Sequence, residues 1–154
     1  MRWATFELRL RRAGPGDADE LNRLARAAYA RHVPAIGREP QPMATDWATL
    51  FDSMEIWALD GPDGIEASLA LEPGEDCLTL WSVAVAPPFQ GTGLGSALLG
   101  FAEERAQALG RKKIRLFTNA RMEGNVALYK AKGYLETHRE TLPDRTIVHM
   151  AKVL

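Results

Sequence analysis

The stretch that decides the fold reads VAVAPPFQGTGLGS and covers residues 83–96. Its first half is apolar and β-branched and is stopped by two prolines, which predicts a buried strand over residues 78–86. Its second half carries Gly91, Gly93 and Gly95 at alternate positions, where an apolar helical stripe begins with Leu94. The sequence therefore predicts a strand that turns into a helix through glycines.

This glycine turn has the properties of an anion site. Glycine has no Cβ, so the backbone of the turn can approach a ligand closely. The first N–H groups of the following helix have no intrahelical partner, and the positive end of the helix dipole lies beside them. Together these groups favour a ligand that carries phosphate. A tight turn that needs glycine only for its own geometry is the structural alternative.

Two common nucleotide-binding patterns do not match the turn. A P-loop requires a lysine followed by serine or threonine, and no lysine follows these glycines. A dinucleotide fingerprint requires a third glycine where Ser96 stands, within an early β-α-β unit. The phosphate ligand is therefore not expected to be a mononucleotide or a dinucleotide held in either of these ways.

Outward from the turn, hydrophobic periodicity predicts an α+β chain around one mixed sheet. Three prolines and a glycine within residues 33–43 exclude a continuous helix there. The predicted elements are, in order, a strand in which Phe6, Leu8 and Leu10 alternate with charged residues; a helix opened by a capping-box analogue of Asp17 and Glu20; a short helix capped by Thr45; strands over residues 56–59, 65–71 and 78–86; a helix over residues 94–109 that ends at Gly110; a strand over residues 114–117; a helix over residues 125–132; and strands over residues 134–142 and 146–153.

Composition narrows the class of protein. The chain has 154 residues, and we expect a single domain over residues 1–154. A formal net charge of −1 argues against a nucleic-acid partner, which favours a basic face. Cys77 is the only cysteine, so an intramolecular disulfide is excluded; we interpret it as a half-buried strand residue in a reducing, cytoplasmic protein. No apolar run approaches the roughly 20 residues that span a membrane, and no metal site is expected.

A family resemblance follows from these residues. Residues 83–99 resemble the acetyl-CoA signature of the GCN5-related N-acetyltransferases, whose pattern of Arg or Gln, two residues, Gly, one residue, and Gly or Ala is matched by Gln90, Gly93 and Gly95. The similarity continues through Asn119, Asn125, residues 127–130, Gly133 and Tyr134. The resemblance implies a three-layer α/β/α fold around a mixed, mostly antiparallel sheet of about seven strands.

The resemblance also implies an activity. Members of the family transfer an acetyl group from acetyl-CoA, used as co-substrate, to a primary amine by direct attack in a ternary complex. The acceptor is a small molecule or a peptide. The diphosphate of the cofactor would be held by the glycine turn, which comprises Gln90, Gly91, Thr92, Gly93, Gly95 and Ser96. A non-catalytic acyl-CoA-binding module of the same fold, or a preference for longer acyl chains, is the alternative.

Four further positions acquire roles by resemblance. The strand before the turn splays from its neighbour, so that the backbone of Val83 and Val85 binds the pantetheine arm and the Val85 N–H donates to the thioester oxyanion. Asn125 bonds the pantetheine arm, and Tyr129 protonates the leaving sulfur as general acid. Residues 125 and 129 are four apart and share a helical face. A tyrosine hydroxyl titrates near 10 and a thiol near 8.5, so Tyr129 can donate to a thiolate.

The acceptor side is less defined by sequence. Residues 29–46, which include Arg38, Glu39 and Met43, would wall the acceptor pocket, but neither the amine nor the general base is identified. Glu39, Glu72 and His32 are the open alternatives for a proton relay. Dimers are frequent in this family, and the last hairpin could supply an edge for a homodimer.

Overall fold

The computed structural model describes residues 9–154, which form a seven-stranded mixed sheet in the order β1-β2-β3-β4-β5-β7-β6. β4 and β5 are parallel, whereas the other neighbouring strands of this described sheet are antiparallel. The elements are β1 (Arg11–Arg12), α1 (Ala18–Tyr29), α2 (Val33–Ile36), α3 (Gln41–Ala44), β2 (Glu55–Gly61), β3 (Gly64–Pro73), β4 (Cys77–Val85), α4 (Leu94–Ala108), β5 (Lys113–Asn119), α5 (Glu123–Ala131), β6 (Leu135–Leu142) and β7 (Arg145–Val153).

The predicted α+β class and mixed sheet are confirmed, with most element boundaries within two residues. α4 ends just before Gly110, which adopts a positive φ of 73° as the predicted C-terminal glycine. Cys77 is half-buried on β4, as predicted. The predicted first strand differs: Phe6 and Leu8 lie outside the described residues, Leu10 is not in a strand, and β1 is formed by Arg11 and Arg12 instead.

Two predicted helix caps lack the expected side-chain hydrogen bond. Asp17 does occupy the N-cap position of α1, but its carboxylate accepts from the Gly14 N–H and from Arg11 and closes the short turn Pro15–Asp17 instead. The carboxylate of Glu20, its predicted capping-box partner, accepts from the Ile65 N–H in β3. Both carboxylates therefore join elements to each other, because partners outside the helix compete for them.

The second predicted helix is also shorter and differently capped. Its buried residues Trp47 and Leu50 are in place, but the helical turn covers only Trp47–Thr49 and is capped by Asp46, whose side chain accepts from the Ala48 N–H. The Thr45 hydroxyl donates back to the Gln41 carbonyl instead. The breaker-rich segment before it contains the one-turn helices α2 and α3, separated at Gly37, whose φ of 72° stops α2.

The core lies on both faces of the sheet. Alternate residues of β3 point to opposite faces, so Leu69 and Leu71 pack with α4 while Ala70 packs with α1 and Trp47. This gives three layers, with α4 on one face and α1 on the other. No helix among residues 9–154 is both long and apolar enough to cross a membrane.

The sheet opens between β4 and β5. These strands pair from Cys77 and Lys113 only as far as Leu80 and Leu116, although β4 continues to Val85 and β5 to Asn119. Against β3, the register of β4 skips Trp81: Leu71 faces Leu80 and Ala70 faces Ser82. A bulge at Trp81 turns the strand at the point where the pairing stops, because bulges bend and twist the strand that carries them. The result is a wedge-shaped gap, here called the β4–β5 wedge, between residues 81–85 and 117–119.

Candidate active site

The β4–β5 wedge exposes backbone groups of β4. In an antiparallel pair, alternate residues exchange hydrogen bonds with the neighbouring strand. The Ala86 N–H donates to the Glu66 carbonyl, so Ala84 and Ser82 also direct their backbone groups to β3. Val83 and Val85 therefore direct their N–H and carbonyl groups into the wedge, where β5 no longer pairs.

The carbonyls of Val83 and Val85, which face the wedge, already accept hydrogen bonds from side chains of the protein. The Tyr29 hydroxyl donates to the Val83 carbonyl at 3.0 Å and lies 2.9 Å from the Ser82 hydroxyl. The Gln90 side-chain amide donates to the Val85 carbonyl at 2.9 Å and to the Ala28 carbonyl at 3.3 Å. With their carbonyls satisfied, Val83 and Val85 offer N–H donors, which suit a ligand that presents carbonyl oxygens.

The glycine turn leads from this strand to α4. Gly91 and Gly93 have positive φ angles of 77° and 90°, which side-chain-bearing residues rarely adopt. Gly93 is the N-cap of α4 and has no side chain with which to cap the helix, so it leaves the first-turn N–H groups to other partners. The Thr92 hydroxyl donates to the Phe89 carbonyl at 2.6 Å and braces the turn.

The backbone of Gly95, in the first turn of α4, borders open space. A Cβ built on Gly95 meets no protein atom within 4 Å. The protein itself therefore does not require glycine at this helical position for packing. An anion that approaches the helix N-terminus closely does require it, because a side chain would stand in its path.

α5 supplies the two side chains predicted to act on the pantetheine arm and the sulfur. Asn125 and Tyr129 are both half-buried and both line the cavities described below. The Tyr129 ring packs edge-on against Tyr134, with 5.9 Å between ring centroids. Burial, and secondarily the charge that Tyr29 would carry if ionised, raise the pKa of the Tyr129 hydroxyl above its ordinary value. Tyr129 is thus held in its protonated, hydrogen-donating form.

Two cavities meet at this place. A cavity of about 490 Å³ lies over the β4–β5 wedge, and one of about 100 Å³ lies towards the glycine turn. Four residues line both: Tyr29, Val83, Asn125 and Tyr129. The smaller cavity is also lined by Val85, Gln90 and Gly95. The geometry is that of a narrow groove opening into a wider chamber beside Tyr129.

The structure thus brings together most of the predicted site residues. Val83, Val85, Gln90, Gly95, Asn125 and Tyr129 line one groove. Gly91, Thr92, Gly93 and Ser96 do not line either cavity; they form the turn and the first helical turn beside the groove. This is where a diphosphate, rather than the thiol arm, would lie.

The three predicted proton-relay residues occupy different places. Glu39 lines the wider cavity and His32 lines the narrow groove, whereas Glu72 lines neither. Burial and then the nearby charge of Arg31 lower the pKa of His32, which keeps it neutral. Glu39 and His32 are therefore retained as alternatives, and Glu72 is not at the site.

Sequence reasoning missed the role of Tyr29, placing it only in the apolar stripe of α1 and at the start of the acceptor wall. Its hydrogen bond to Val83 spans 54 residues of sequence, and no local pattern indicates it. The wider cavity is also lined by Trp81, Phe117 and His149, which the sequence analysis did not place at the site. The one available signal was the position of Trp81 and Phe117 on strands that the family resemblance predicted to splay.

The site thus combines a glycine turn at a helix N-terminus with a splayed pair of parallel strands. Residues 37–134 match the family model described as the acetyltransferase (GNAT) family. Because this match covers more than half of the chain, the chain belongs to that family. No curated protein sequence matches the chain significantly.

Several solved structures share the fold of this chain. The ribosomal-protein-S18-alanine N-acetyltransferase of Escherichia coli aligns with a TM-score of 0.78 and 19% identity over 94% of this chain and 92% of that one. The PaiA N-acetyltransferase of Thermoplasma acidophilum, crystallised with coenzyme A, aligns with a TM-score of 0.76 and 15% identity over 95% and 98%. A family member from Elizabethkingia anophelis with acetyl-CoA bound gives 0.69 and 16% over 95% and 97%. At these identities the likeness shows the fold.

Proposed function

We propose that this chain is an acetyl-CoA-dependent N-acetyltransferase that moves an acetyl group to a primary amine of a small molecule or peptide in a ternary complex. One observation carries the proposal: the glycine turn, the free N–H groups of Val83 and Val85, and the protonated Tyr129 lie along one groove that opens into a chamber. That order matches the order of groups along acetyl-CoA, from diphosphate to pantetheine to thioester.

This complementarity supports acetyl-CoA as the co-substrate. The turn from Gln90 to Ser96 would bind the diphosphate through backbone N–H groups at the start of α4. The pantetheine amides would extend β4 as an extra strand, with Val83 donating to a carbonyl and Asn125 bonding the arm from α5. Two solved relatives of this fold contain coenzyme A or acetyl-CoA, which supports the same use of the wedge here.

The chemistry then requires four events. The neutral amine nitrogen attacks the thioester carbon, and the carbonyl oxygen becomes an oxyanion that the Val85 N–H stabilises. The tetrahedral intermediate collapses with cleavage of the C–S bond. The leaving sulfur takes the proton of the Tyr129 hydroxyl, and the proton lost by the nitrogen passes to water or to a neighbouring base, with Tyr129 reprotonated from solvent.

Binding is the first test of the proposal. Isothermal calorimetry and thermal shifts with coenzyme A, ATP and NAD should show strong stabilisation by coenzyme A only, because a ligand that binds the folded state raises the melting temperature by mass action. Gly95→Val should remove this stabilisation by blocking the helix N-terminus. The matched control is Gly16→Val. A Cβ at Gly16 also meets no atom within 4 Å, but Gly16 does not line the groove.

Turnover is the second test. Release of free thiol from acetyl-CoA should depend on an added amine and yield the acetylated amine in equal amount. Binding of coenzyme A without transfer to any amine would favour the non-catalytic acyl-CoA-binding module. Absence of coenzyme A binding, with the wedge filled by protein side chains in a soaked crystal, would exclude both.

A further inference from the structure

The wider cavity differs between its interior and its rim. Its interior is formed by buried apolar side chains and by two half-buried aromatic rings: Ile36, Pro42, Leu80, Leu116, Trp81 and Phe117. Its charged lining residues Arg38, Glu39 and Glu140 are exposed to solvent. Charged side chains therefore lie mainly at the entrance, where Arg145 is half-buried, while the interior is mostly apolar and also contains the small buried polar residues Ser82, Thr118 and Asn119.

Two segments that are distant in sequence cover this cavity. One is the connection through α2 and α3, and the other is the β6–β7 hairpin, which contributes Glu140, Leu142, Arg145 and His149 to the lining. Glu140 and His149 lie across the hairpin from each other, with 3.3 Å between the carboxylate and the Nε2 atom of the imidazole. Two separate segments, here called the two flaps, therefore border the cavity.

An ion pair joins the two flaps. The Arg38 guanidinium donates to the Oδ2 atom of Asp144, in the turn between β6 and β7. The Arg145 guanidinium lies 3.0 Å from the other carboxylate oxygen of Asp144. Arg38 and Arg145 both line the cavity, so Asp144 connects its two sides at the rim. We call this contact the Arg38–Asp144 bridge.

We infer that the acceptor is a small primary amine with a compact apolar or aromatic body, and that the Arg38–Asp144 bridge sets the size of acceptor admitted. This inference rests on the proposed function, since it concerns the acceptor of that reaction. It selects the small-molecule class over the peptide class that the site alone leaves open.

The volume of the cavity and the Arg38–Asp144 bridge at its rim argue for a small acceptor. A volume of about 490 Å³ falls in the range of roughly 300–1,000 Å³ typical of small-ligand sites. A peptide would need room for the rest of its chain to leave between the two flaps, and the Arg38–Asp144 bridge joins these flaps at the rim. The bridge is solvent-exposed, with side-chain exposures of 42% at Arg38 and 58% at Asp144, so it is weak enough to open for each acceptor.

The interior chemistry argues for an apolar body. An amine placed beside Val85 and Tyr129 for attack would extend between Trp81 and Phe117, where burial of apolar surface favours binding. A polyamine would have to place further ammonium groups in this interior. Each would lose its hydration without a buried carboxylate to pair with, because the cavity carboxylates Glu39 and Glu140 are at the exposed rim.

The experiment compares three acceptors with the full-length enzyme: phenylethylamine, spermidine and a short peptide that begins with alanine. Phenylethylamine should show the highest kcat/KM. Asp144→Asn should raise its KM by about two- to fivefold, the effect expected of an exposed ion pair, and should narrow its advantage over the peptide. kcat for phenylethylamine and KM for acetyl-CoA should not change. Asp63→Asn, in the exposed turn between β2 and β3, is the matched control.

A salt series adds a second readout. Molar sodium chloride should reproduce the KM increase in the wild type and add little in Asp144→Asn, because screening weakens the same bridge. Preference of the wild type for the peptide or for spermidine would overturn the inference. So would an Asp144→Asn variant that keeps the acceptor ratio and salt response of Asp63→Asn. In these cases acetyl transfer still occurs and the proposed function stands; if coenzyme A binds and no amine is acetylated, both fail.

Discussion

The two halves of β4 lie in one strand and have different surroundings. Residues 77–80 are paired with β3 on one side and β5 on the other, and Leu78, Thr79 and Leu80 are buried. Residues 82–85 are paired with β3 only, Trp81 is the bulged residue before them, and the other side of this half faces the β4–β5 wedge. The first half holds the sheet together, while the second presents backbone donors to a ligand.

The comparison teaches how one strand can serve both stability and binding. A fully paired strand has no spare hydrogen-bonding groups, and an unpaired one exposes groups that must find partners. Here the exposed carbonyls of Val83 and Val85 are satisfied by Tyr29 and Gln90, which leaves only N–H donors for the ligand. Substitutions in the paired half should therefore change stability, and those around the open half should change kinetics.

The largest effect is expected in the paired half. Leu78→Ala removes a fully buried side chain between β4 and α4, and should lower the free energy of unfolding by about 2–5 kcal/mol. KM for acetyl-CoA should stay unchanged in the folded fraction. Urea titration followed by circular dichroism measures the first quantity. If Leu78→Ala lowered the free energy of unfolding by less than Val83→Ala in the open half, the division of β4 into a stabilising half and a binding half would be contradicted.

The next effect concerns the acid at the mouth of the wedge. Tyr129→Phe should lower kcat by about 100-fold, the low end of general-acid contributions, and leave the affinity for coenzyme A unchanged. Since burial raises the pKa of Tyr129, the wild type should show no fall in kcat from its ionisation up to pH 10. Steady-state kinetics over a pH series measure both.

The control for this variant is Tyr134→Phe. Tyr134 packs against Tyr129, but its hydroxyl donates to Glu103 on α4, away from the groove. Tyr134→Phe should change the free energy of unfolding and leave kcat unchanged. Equal kcat for wild type and Tyr129→Phe at saturating substrates would remove Tyr129 as general acid.

A smaller effect should come from the hydrogen bond that Tyr29 donates to the Val83 carbonyl in the open half. Tyr29→Phe leaves the Val83 carbonyl without its donor, and the wedge then needs a water in that place. We expect KM for acetyl-CoA to rise by about tenfold, which corresponds to about 1.4 kcal/mol, near the net value of one hydrogen bond. Ser82→Ala keeps the bond from Tyr29 to Val83 and should change KM less. If Ser82→Ala raised KM for acetyl-CoA as much as Tyr29→Phe does, the hydrogen bond to the Val83 carbonyl would not be what supports cofactor binding.

The smallest effect is expected from a polar group in the paired half. The Arg115 guanidinium donates to the Thr79 hydroxyl at 2.8 Å, but Arg115 is exposed and water can replace this partner. Thr79→Val should therefore lower the free energy of unfolding by about 0.5–1 kcal/mol and leave all kinetic constants unchanged. A change in KM would show that the two halves of β4 are coupled.

The fold was predictable where the signal is local. The glycine turn, the apolar strand before it and the stripe of α4 lie within one short stretch, so their propensities act together. The caps at Asp17 and Thr45 were not predictable in the same way. Asp17 has Arg11 and Gly14 as competing partners, and Asp46 stands beside Thr45 with an equally suitable side chain.

The candidate site was predictable to the extent that it lies on one stretch of chain. The glycine turn can be read directly from the sequence, whereas Val83, Val85, Asn125 and Tyr129 were picked out through the family resemblance, and their roles stay predictions. Tyr29, His149 and the Arg38–Asp144 bridge reach the cavities only through the tertiary fold, and the bridge joins residues 106 apart. Long-range contacts of exposed charges leave no periodic signal in a single sequence.

The short pairing between β4 and β5 has a consequence for folding. It joins an antiparallel unit of β1, β2, β3 and β4 to a second antiparallel unit with the strand order β5-β7-β6. The seam has only four paired positions, from Cys77 and Lys113 to Leu80 and Leu116, whereas the β3–β4 and β5–β7 pairs each have seven, so fewer contacts hold it together. The two units should therefore behave as separate cooperative units, and amide hydrogen exchange should reveal the seam between them, where the ligand groove begins, as the first part of the sheet to open.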